Sequence, residues 1–445
     1  MKIRKLIALV LLLGLSPLRG EAGELINEQL PDWVEMDVQF RYRYEHKADF
    51  DFNKNKDDDK GFSLKRIRFN LGLMPHEDVK FFYQFQDSRI FADSLSGSKS
   101  AFEDFLETRQ LWAQYESQHL GVEAINLSKA GVRFGRQELS YGAQRLVGGF
   151  NWSNIAQTFD AGKVMLTFGP ADLNVDMFWG EKTPNKTPDE ADEFFDGESK
   201  DELAGYYATY KGLKHVTIEQ YLLSRQTHEK TVSFGQTGDG DVEDYTLGGR
   251  IKGAVPDTGF DYEVEGAYQF GDSGNLDVSA AMFVGILGYT FDHVWKPRVS
   301  FEFDYASGDD NPTDGDRKTF DNLFPTNHLY YGYMDFASLQ NLNNYHLQIA
   351  AKPSAKLKLQ ADLHVLYLDT AKDNLYSAGR AVKRATTPGA GSQVGKEIDI
   401  LAKYQINDQV DILAGYSHFF AGDFLEDTGT AEDADFIYFQ TTLSF

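Results

Sequence analysis

Cysteine is absent from all 445 residues, so neither a disulfide nor a thiolate metal site is open to this chain. Long apolar runs are missing too. The longest, Leu6 to Leu15, falls short of the roughly 18 residues a spanning helix needs, which excludes a helical membrane protein. An excess of basic residues is also lacking: 44 Lys and Arg face 68 Asp and Glu, a net charge of -24. That balance argues against a nucleic-acid partner, because phosphate binding needs clustered cations. A Cys-free chain of this length must be held by its own hydrogen-bonded backbone.

The first residues have the order of a secretory signal peptide. Lys2, Arg4 and Lys5 precede the apolar run, and small residues lead to Gly20-Glu21-Ala22, with cleavage expected after Ala22. The division expected is therefore a leader over 1–22 and one all-β unit over 23–445. Mean hydropathy is -0.44, and 25% of residues are charged, which looks soluble. A barrel that is greasy outside and wet inside averages to the same value while pairing every backbone group. The 23 Tyr and 34 Phe suit the aromatic girdles of such a barrel.

Period-two alternation is the recurring signal. Val34, Met36, Val38, Phe40, Tyr42 and Tyr44 share one face, while Glu35, Asp37, Gln39, Arg41, Arg43 and Glu45 share the other. Ile67, Phe69, Leu71 and Leu73 alternate with Arg66, Arg68 and Asn70, and Leu173, Val175, Met177 and Trp179 with Asp172, Asn174 and Asp176. The pattern returns at Val299 to Tyr305, Leu357 to Tyr367, Ile398 to Tyr404 and Val410 to Tyr416.

Short turns at Met74 to Asp78, Gly169 to Ala171, Lys211 to Lys214, Lys352 to Ala355 and Ile406 to Gln409 alternate with long polar loops. These loops fall near 46–61, 89–106, 181–201, 226–242, 308–343, 368–395 and 421–434. The expectation is a transmembrane antiparallel β-barrel of about 18 strands, with short periplasmic turns, long external loops and both termini periplasmic. Pairing around 117–160 stays open, and Leu276 to Phe291 fits two phases. A soluble β-sandwich or β-helix also alternates, but the regular connections and the terminal strand Phe436 to Phe445 favour the barrel. A final aromatic is what such barrels present to the assembly machinery of the outer membrane.

The inward faces carry opposite charges on opposite walls. Arg41, Arg43, Arg66, Arg68, Lys80 and Arg133 gather on one; Asp261, Glu263, Glu265, Glu302, Asp304, Asp362, Glu397 and Asp399 gather on the other. Rings of charge select ions in pores, and the planar arginine fork binds a carboxylate through two hydrogen bonds. The blander reading is that these arginines neutralise Glu35, Asp37 and Glu45 in wall ion pairs, and one network can do both. Arg89 and Arg109 are out of phase with their strands and need a bulge or an infolded loop to reach the lumen.

Other candidates are weaker. Asp49 to Asp57 spaces oxygens as a calcium loop does but lacks its glycine, and Lys60 stands where the bidentate Glu belongs, so a solvated acidic loop is the better reading. Asp309, Asp310, Asp314 and Asp316 read the same way. His346 and His364 face inward beside Asp362 without a serine at a motif position, which disfavours a hydrolase. Inward Phe82, Trp112, Phe178 and Tyr438 look scattered, unlike a continuous track for neutral sugars.

Two stretches resemble the alginate-export porin family. One is Gly135-Arg136-Gln137-Glu138-Leu139-Ser140-Tyr141-Gly142 with Gln144-Arg145-Leu146-Val147-Gly148; the other is Phe320-Asp321-Asn322-Leu323-Phe324-Pro325-Thr326-Asn327-His328 with Tyr330 to Asp335. With the Arg-rich opening strands, the likeness extends over most of the mature chain. It implies an eighteen-stranded outer-membrane barrel, expected to be monomeric, that passes anionic uronate polymers or fragments through a basic constriction. By that resemblance Arg136 and Arg145 sit in or near the pore motif. The pore-lining set expected is thus Arg41, Arg43, Arg66, Arg68, Lys80, Arg109, Arg133, Arg136 and Arg145. No catalytic residue, metal or cofactor is implied. The partners are an anionic polysaccharide or oligosaccharide and outer-membrane lipid, with acidic loops suited to cation-bridged lipopolysaccharide. A general or small-anion porin is the alternative, and export and uptake stay equally open.

Overall fold

The computed structural model describes residues 27, 29–56, 59–91, 102–117, 122, 125–169, 171–184, 201–227 and 241–445. The expected leader and most of the loops near 181–201 and 226–242 lie outside the described residues.

The first half of the chain supplies β1 (Val34–Ala48), β2 (Lys60–His76), β3 (Val79–Phe91), β4 (Asp104–Ser117), β5 (Leu127–Gln137), β6 (Phe159–Phe168), β7 (Leu173–Lys182), β8 (Asp201–Leu213), β9 (Val216–Thr227) and β10 (Val242–Ala254). The second supplies β11 (Phe260–Ser273), β12 (Leu276–Thr290), β13 (Arg298–Ala306), β14 (Asp316–Arg317), β15 (Leu342–Ala351), β16 (Leu357–Tyr367), β17 (Leu375–Tyr376), β18 (Val382–Arg384), β19 (Gln393–Asn407), β20 (Val410–Ala421) and β21 (Ala434–Ser444). Eighteen long strands pair antiparallel in sequence order, and β1 pairs with β21, so the sheet closes on itself. Closure leaves no edge to be satisfied by water, which lipid requires. The three short strands β14, β17 and β18 belong to the connections.

Alternation sets each strand's facing. On β1, Arg41, Arg43 and Glu45 are buried inside while Tyr42 and Tyr44 stand exposed on the outer surface. Register then stacks the basic faces of adjacent strands, with Arg41 opposite Arg66 and Gln39 opposite Arg68.

The structure resolves the two open regions and departs from some expectations. Leu276 to Thr290 is one strand. Val278, Ala280, Met282 and Val284 point inward, where loop residues rather than water cover them, and Phe283 and Leu287 point outward. Its link to β11 is the tight turn Gly274-Asn275 at the long-loop end, with Gly274 in the left-handed region at φ 62°, so short and long connections do not alternate without exception. The turn between β8 and β9 is Lys214-His215, because Lys211-Gly212-Leu213 still belongs to β8. Among the described residues between 117 and 160 are β5 and the start of β6, and 138–158 between them folds into the bore.

The loop at 49–56 is not simply solvated. Phe50 and Phe52 pack on Phe336 with ring centroids at 4.9 and 4.8 Å, and Phe52 also meets Phe419 at 5.7 Å. Asp309 is likewise buried, where it accepts the backbone N–H of Asn311 at 3.0 Å.

Candidate functional site

Two segments cross the lumen: 138–158 after β5, and 307–341 after β13. They lack period-two alternation and carry Gly142, Gly148, Gly149 and Gly332, residues that break strands. Inside the barrel they join. The Gly148 N–H donates to Phe324 O at 2.9 Å, Phe324 N to Leu146 O at 2.8 Å and Thr326 N to Gln144 O at 2.9 Å. The Asn322 side chain adds a bond to Arg145 O at 2.7 Å, and Trp152 stacks on His328 at 3.9 Å. The two stretches that resembled the family are therefore one structural feature, a crossing built from both.

The crossing is held by opposite chemistry on opposite walls. On the basic wall the arginines meet oxygens of 151–154. Arg41 Nη1 donates to Asn151 O at 2.8 Å and Nη2 to Ser153 O at 3.0 Å; Arg66 Nη1 reaches the same two carbonyls at 3.2 and 3.1 Å. Arg43 Nη1 donates to Trp152 O at 2.8 Å while its guanidinium lies 3.8 Å over the Trp152 ring, and Arg68 Nη1 donates to Asn151 Oδ1 at 2.8 Å. Among the described residues, Arg43 alone of these four takes a wall carboxylate as partner, Glu45 at 2.7 Å. The blander reading, neutralisation by Glu35, Asp37 and Glu45, is met by Glu45 alone among these three; neutral carbonyl oxygens stand where Glu35 and Asp37 were the candidates.

On the acidic wall the crossing presents donors. Glu397 accepts the Met334 N–H at 2.8 Å. Gly332 makes that approach possible: its φ is 96°, and a Cβ there would stand 2.5 Å from the Glu397 carboxyl carbon. Arg145 reaches across to three carboxylates, Glu263 at 2.6 Å, Glu302 at 2.8 Å and Glu265 at 3.4 Å, and lies 4.3 Å over the Tyr330 ring. Burial alone would lower the affinity of Arg145 for its proton, but Glu302 and Glu265 raise it well above the usual guanidinium value.

The remaining expected residues divide. A bulge in the pairing of β3 with β4 turns Arg109 inward, where it binds Gln84 and Glu138. Arg133 lies on the lumen face, with both Nε and Nη2 on Gln114 Oε1 and its guanidinium 3.9 Å over Trp112. Lys80 faces inward opposite Gln114, remote from the crossing. Arg136 is a correction. Three residues beyond Arg133 it falls on the other face of β5, 1% exposed and locked to its cross-strand partner Asp160 at 2.8 Å, so it does not line the bore. Arg89 stays outside as well, bound to Asp87 at 2.9 Å.

His346 and His364 are cross-strand partners with rings stacked at 4.0 Å. His346 sits between Glu302 and Asp362 at 3.3 and 2.8 Å, and among the described residues no serine hydrogen-bonds either ring.

Two features were not anticipated. Phe178, Tyr141, Tyr207 and Tyr221 form a continuous stack with steps of 4.9, 4.9 and 5.4 Å, so the inward aromatics are less scattered than expected. The direct pairing of Tyr207 with Tyr221 across β8 and β9 was the signal, but it needs the register to be seen. Within the second crossing segment, Asp321 binds Arg225 and Arg380, the latter at 3.1 Å, beside the pair of Arg317 with Asp244 at 2.7 Å. Burial would push the Asp321 carboxyl up, yet Arg225, Arg380 and Arg317 hold it below the usual carboxylate range.

A family model described as alginate export matches residues 32–439. No curated protein matches the sequence at a significant level. Among solved structures, the outer membrane protein OprD from Pseudomonas aeruginosa superposes with a TM-score of 0.58 at 12% identity, covering 93% of this chain and 93% of that one. OccAB2 of Acinetobacter baumannii gives 0.60 at 9% identity, covering 93% and 98%. OccK11 (OpdR) of Pseudomonas aeruginosa gives 0.58 at 10%, covering 93% and 96%. At these identities the likeness establishes the barrel fold alone.

Proposed function

Because the chain belongs to the alginate-export family, we propose that this outer-membrane channel passes anionic saccharides, with alginate-type uronates as the substrate class. The observation that carries this is the state of the basic wall. Arg41, Arg66 and Arg68 spend their hydrogen bonds on neutral oxygens of Asn151, Ser153, Gln39 and Gln86, so their charge is fixed in place but not cancelled. The three guanidinium groups are buried beneath 151–154, so they act on the bore through their field and not by direct contact, and a fixed positive field attracts carboxylates and repels cations. A guanidinium keeps its charge at any physiological pH, so that attraction does not switch off. The fold and the family point to conduction rather than catalysis, and His346 and His364 fit a structural layer of the wall.

Flux through proteoliposomes tests the substrate class. Dimers and trimers of mannuronate are expected to leave faster than their methyl esters, which have the same length without the charge. Equal efflux of the two, or faster efflux of the esters, would contradict the proposal and leave a general porin.

A further inference from the structure

We propose that the vestibule between the crossing and the short-turn end of the barrel is a binding site for the carboxylates of an anionic saccharide, so that the channel engages this ligand from its periplasmic side. This rests on the function proposed above and adds a place and a side to it.

The starting point is two like-charge pairs. Side chains directly opposite in an antiparallel sheet are near neighbours, and like charges there repel. Arg41 stands opposite Arg66, and the carbonyls of Asn151 and Ser153 answer that repulsion from inside. Lys358 stands opposite Lys403 on the far wall, where β16 meets β19, and both point into the lumen. Among the described residues no loop oxygen comes to them. Lys403 has one carboxylate, Asp411 at 3.4 Å, with the two side chains 49% and 39% exposed, a degree of exposure at which an ion pair contributes little. Among the described residues Lys358 has no ion-pair or hydrogen-bond partner on its ammonium.

Both lysines line a cavity of about 430 Å³, within the range of small-molecule sites. Lys352, whose side chain likewise has no partner among the described residues, and Arg298, bound to Asp261 at 2.6 Å, extend the same lining. Its ceiling is the underside of the crossing, with Leu329 and Tyr333. The division of labour is clear: cations at the crossing are occupied by the protein's own oxygens, while those of the vestibule face water. Lysine suits such a station, because a hydrated ammonium on a flexible stem holds a carboxylate loosely enough to release it onward.

The test uses the full chain in planar bilayers in one orientation, with oligomannuronate added to either side as a blocker of ionic current. In the unsubstituted channel, block is expected at lower concentration from the short-turn side. Lys352→Gln with Lys358→Gln and Lys403→Gln should raise the blocking concentration on that side by about tenfold. Block from the long-loop side and the open conductance should hardly change. Removing mutually repelling, exposed lysines does not weaken the sheet, so the variant remains a fair test. Equal block from both sides, or unchanged block in the triple variant, overturns the vestibule site while leaving the channel reading intact. Absence of block from either side would instead count against the channel reading itself.

Discussion

Replacing Arg145 with alanine is expected to cost the protein about 3 kcal/mol of stability, at the lower end of what breaking a buried ion pair costs. The side chain is 1% exposed and joins Glu263, Glu265 and Glu302, themselves mostly shielded. Its loss leaves carboxylates facing one another with Arg250, on Glu263 at 2.6 Å, as the nearby compensation. It also removes the guanidinium stacked over Tyr330, so the second crossing segment loses a contact. Arg145→Lys keeps a charge but not the fork, and should fall between the two. Urea unfolding in detergent micelles, followed by tryptophan fluorescence, reads the difference. A change within about 0.5 kcal/mol, the size of a neutral surface substitution, would mean that the crossing does not depend on this contact.

The second large effect is expected from Arg41→Ala combined with Arg66→Ala. These two side chains donate to the same pair of carbonyls, Asn151 and Ser153, so either single variant leaves both oxygens with a partner. The double variant orphans them, and the 150–155 segment, still tied to the wall by Arg43, Arg68, Gln86 and Ser88, loses two of its anchors and loosens. Single-channel conductance should then rise by roughly twofold or more as the crossing loosens, and anion preference should fall because two uncancelled cations are gone. The effect should exceed the sum of the single variants, as it must when two groups share partners. Strictly additive conductance changes would show that the two arginines act separately.

How far the sequence alone leads depends on the kind of regularity involved. Strand β1 could be read residue by residue, because Arg41, Arg43 and Glu45 on one face and Tyr42 and Tyr44 on the other follow from a two-residue period. The opposite signs of charge on the two walls follow from the same rule applied strand by strand. The crossing could not be read this way. Segments 138–158 and 307–341 have no period, and the residues that join them, such as Arg145 and Asn322, stand 177 apart in the chain. Their union through Gly148, Phe324 and Thr326 is a long-range contact that only the motif resemblance singled out, as two separate stretches. Arg136 illustrates the limit in the other direction. A motif placed it in the bore, whereas its parity relative to Arg133 places it on the opposite face beside Asp160. Arg109 needed the bulge in β4, which alternation cannot foresee. The partners of the basic wall were also out of reach, since the sequence offered Glu35 and Asp37 as nearby carboxylates and gave no hint that backbone carbonyls would take their place.

The central claim is that the water-filled part of this barrel is governed by guanidinium and ammonium groups whose charge is held but not cancelled. The most direct measurement is the reversal potential of the unsubstituted channel in a planar bilayer under a potassium chloride gradient. A potential displaced toward the chloride equilibrium value is the expected result. A displacement toward the potassium value would contradict the claim, because it would mean that the acidic wall, and not the arginine wall, sets the field along the path of the ions.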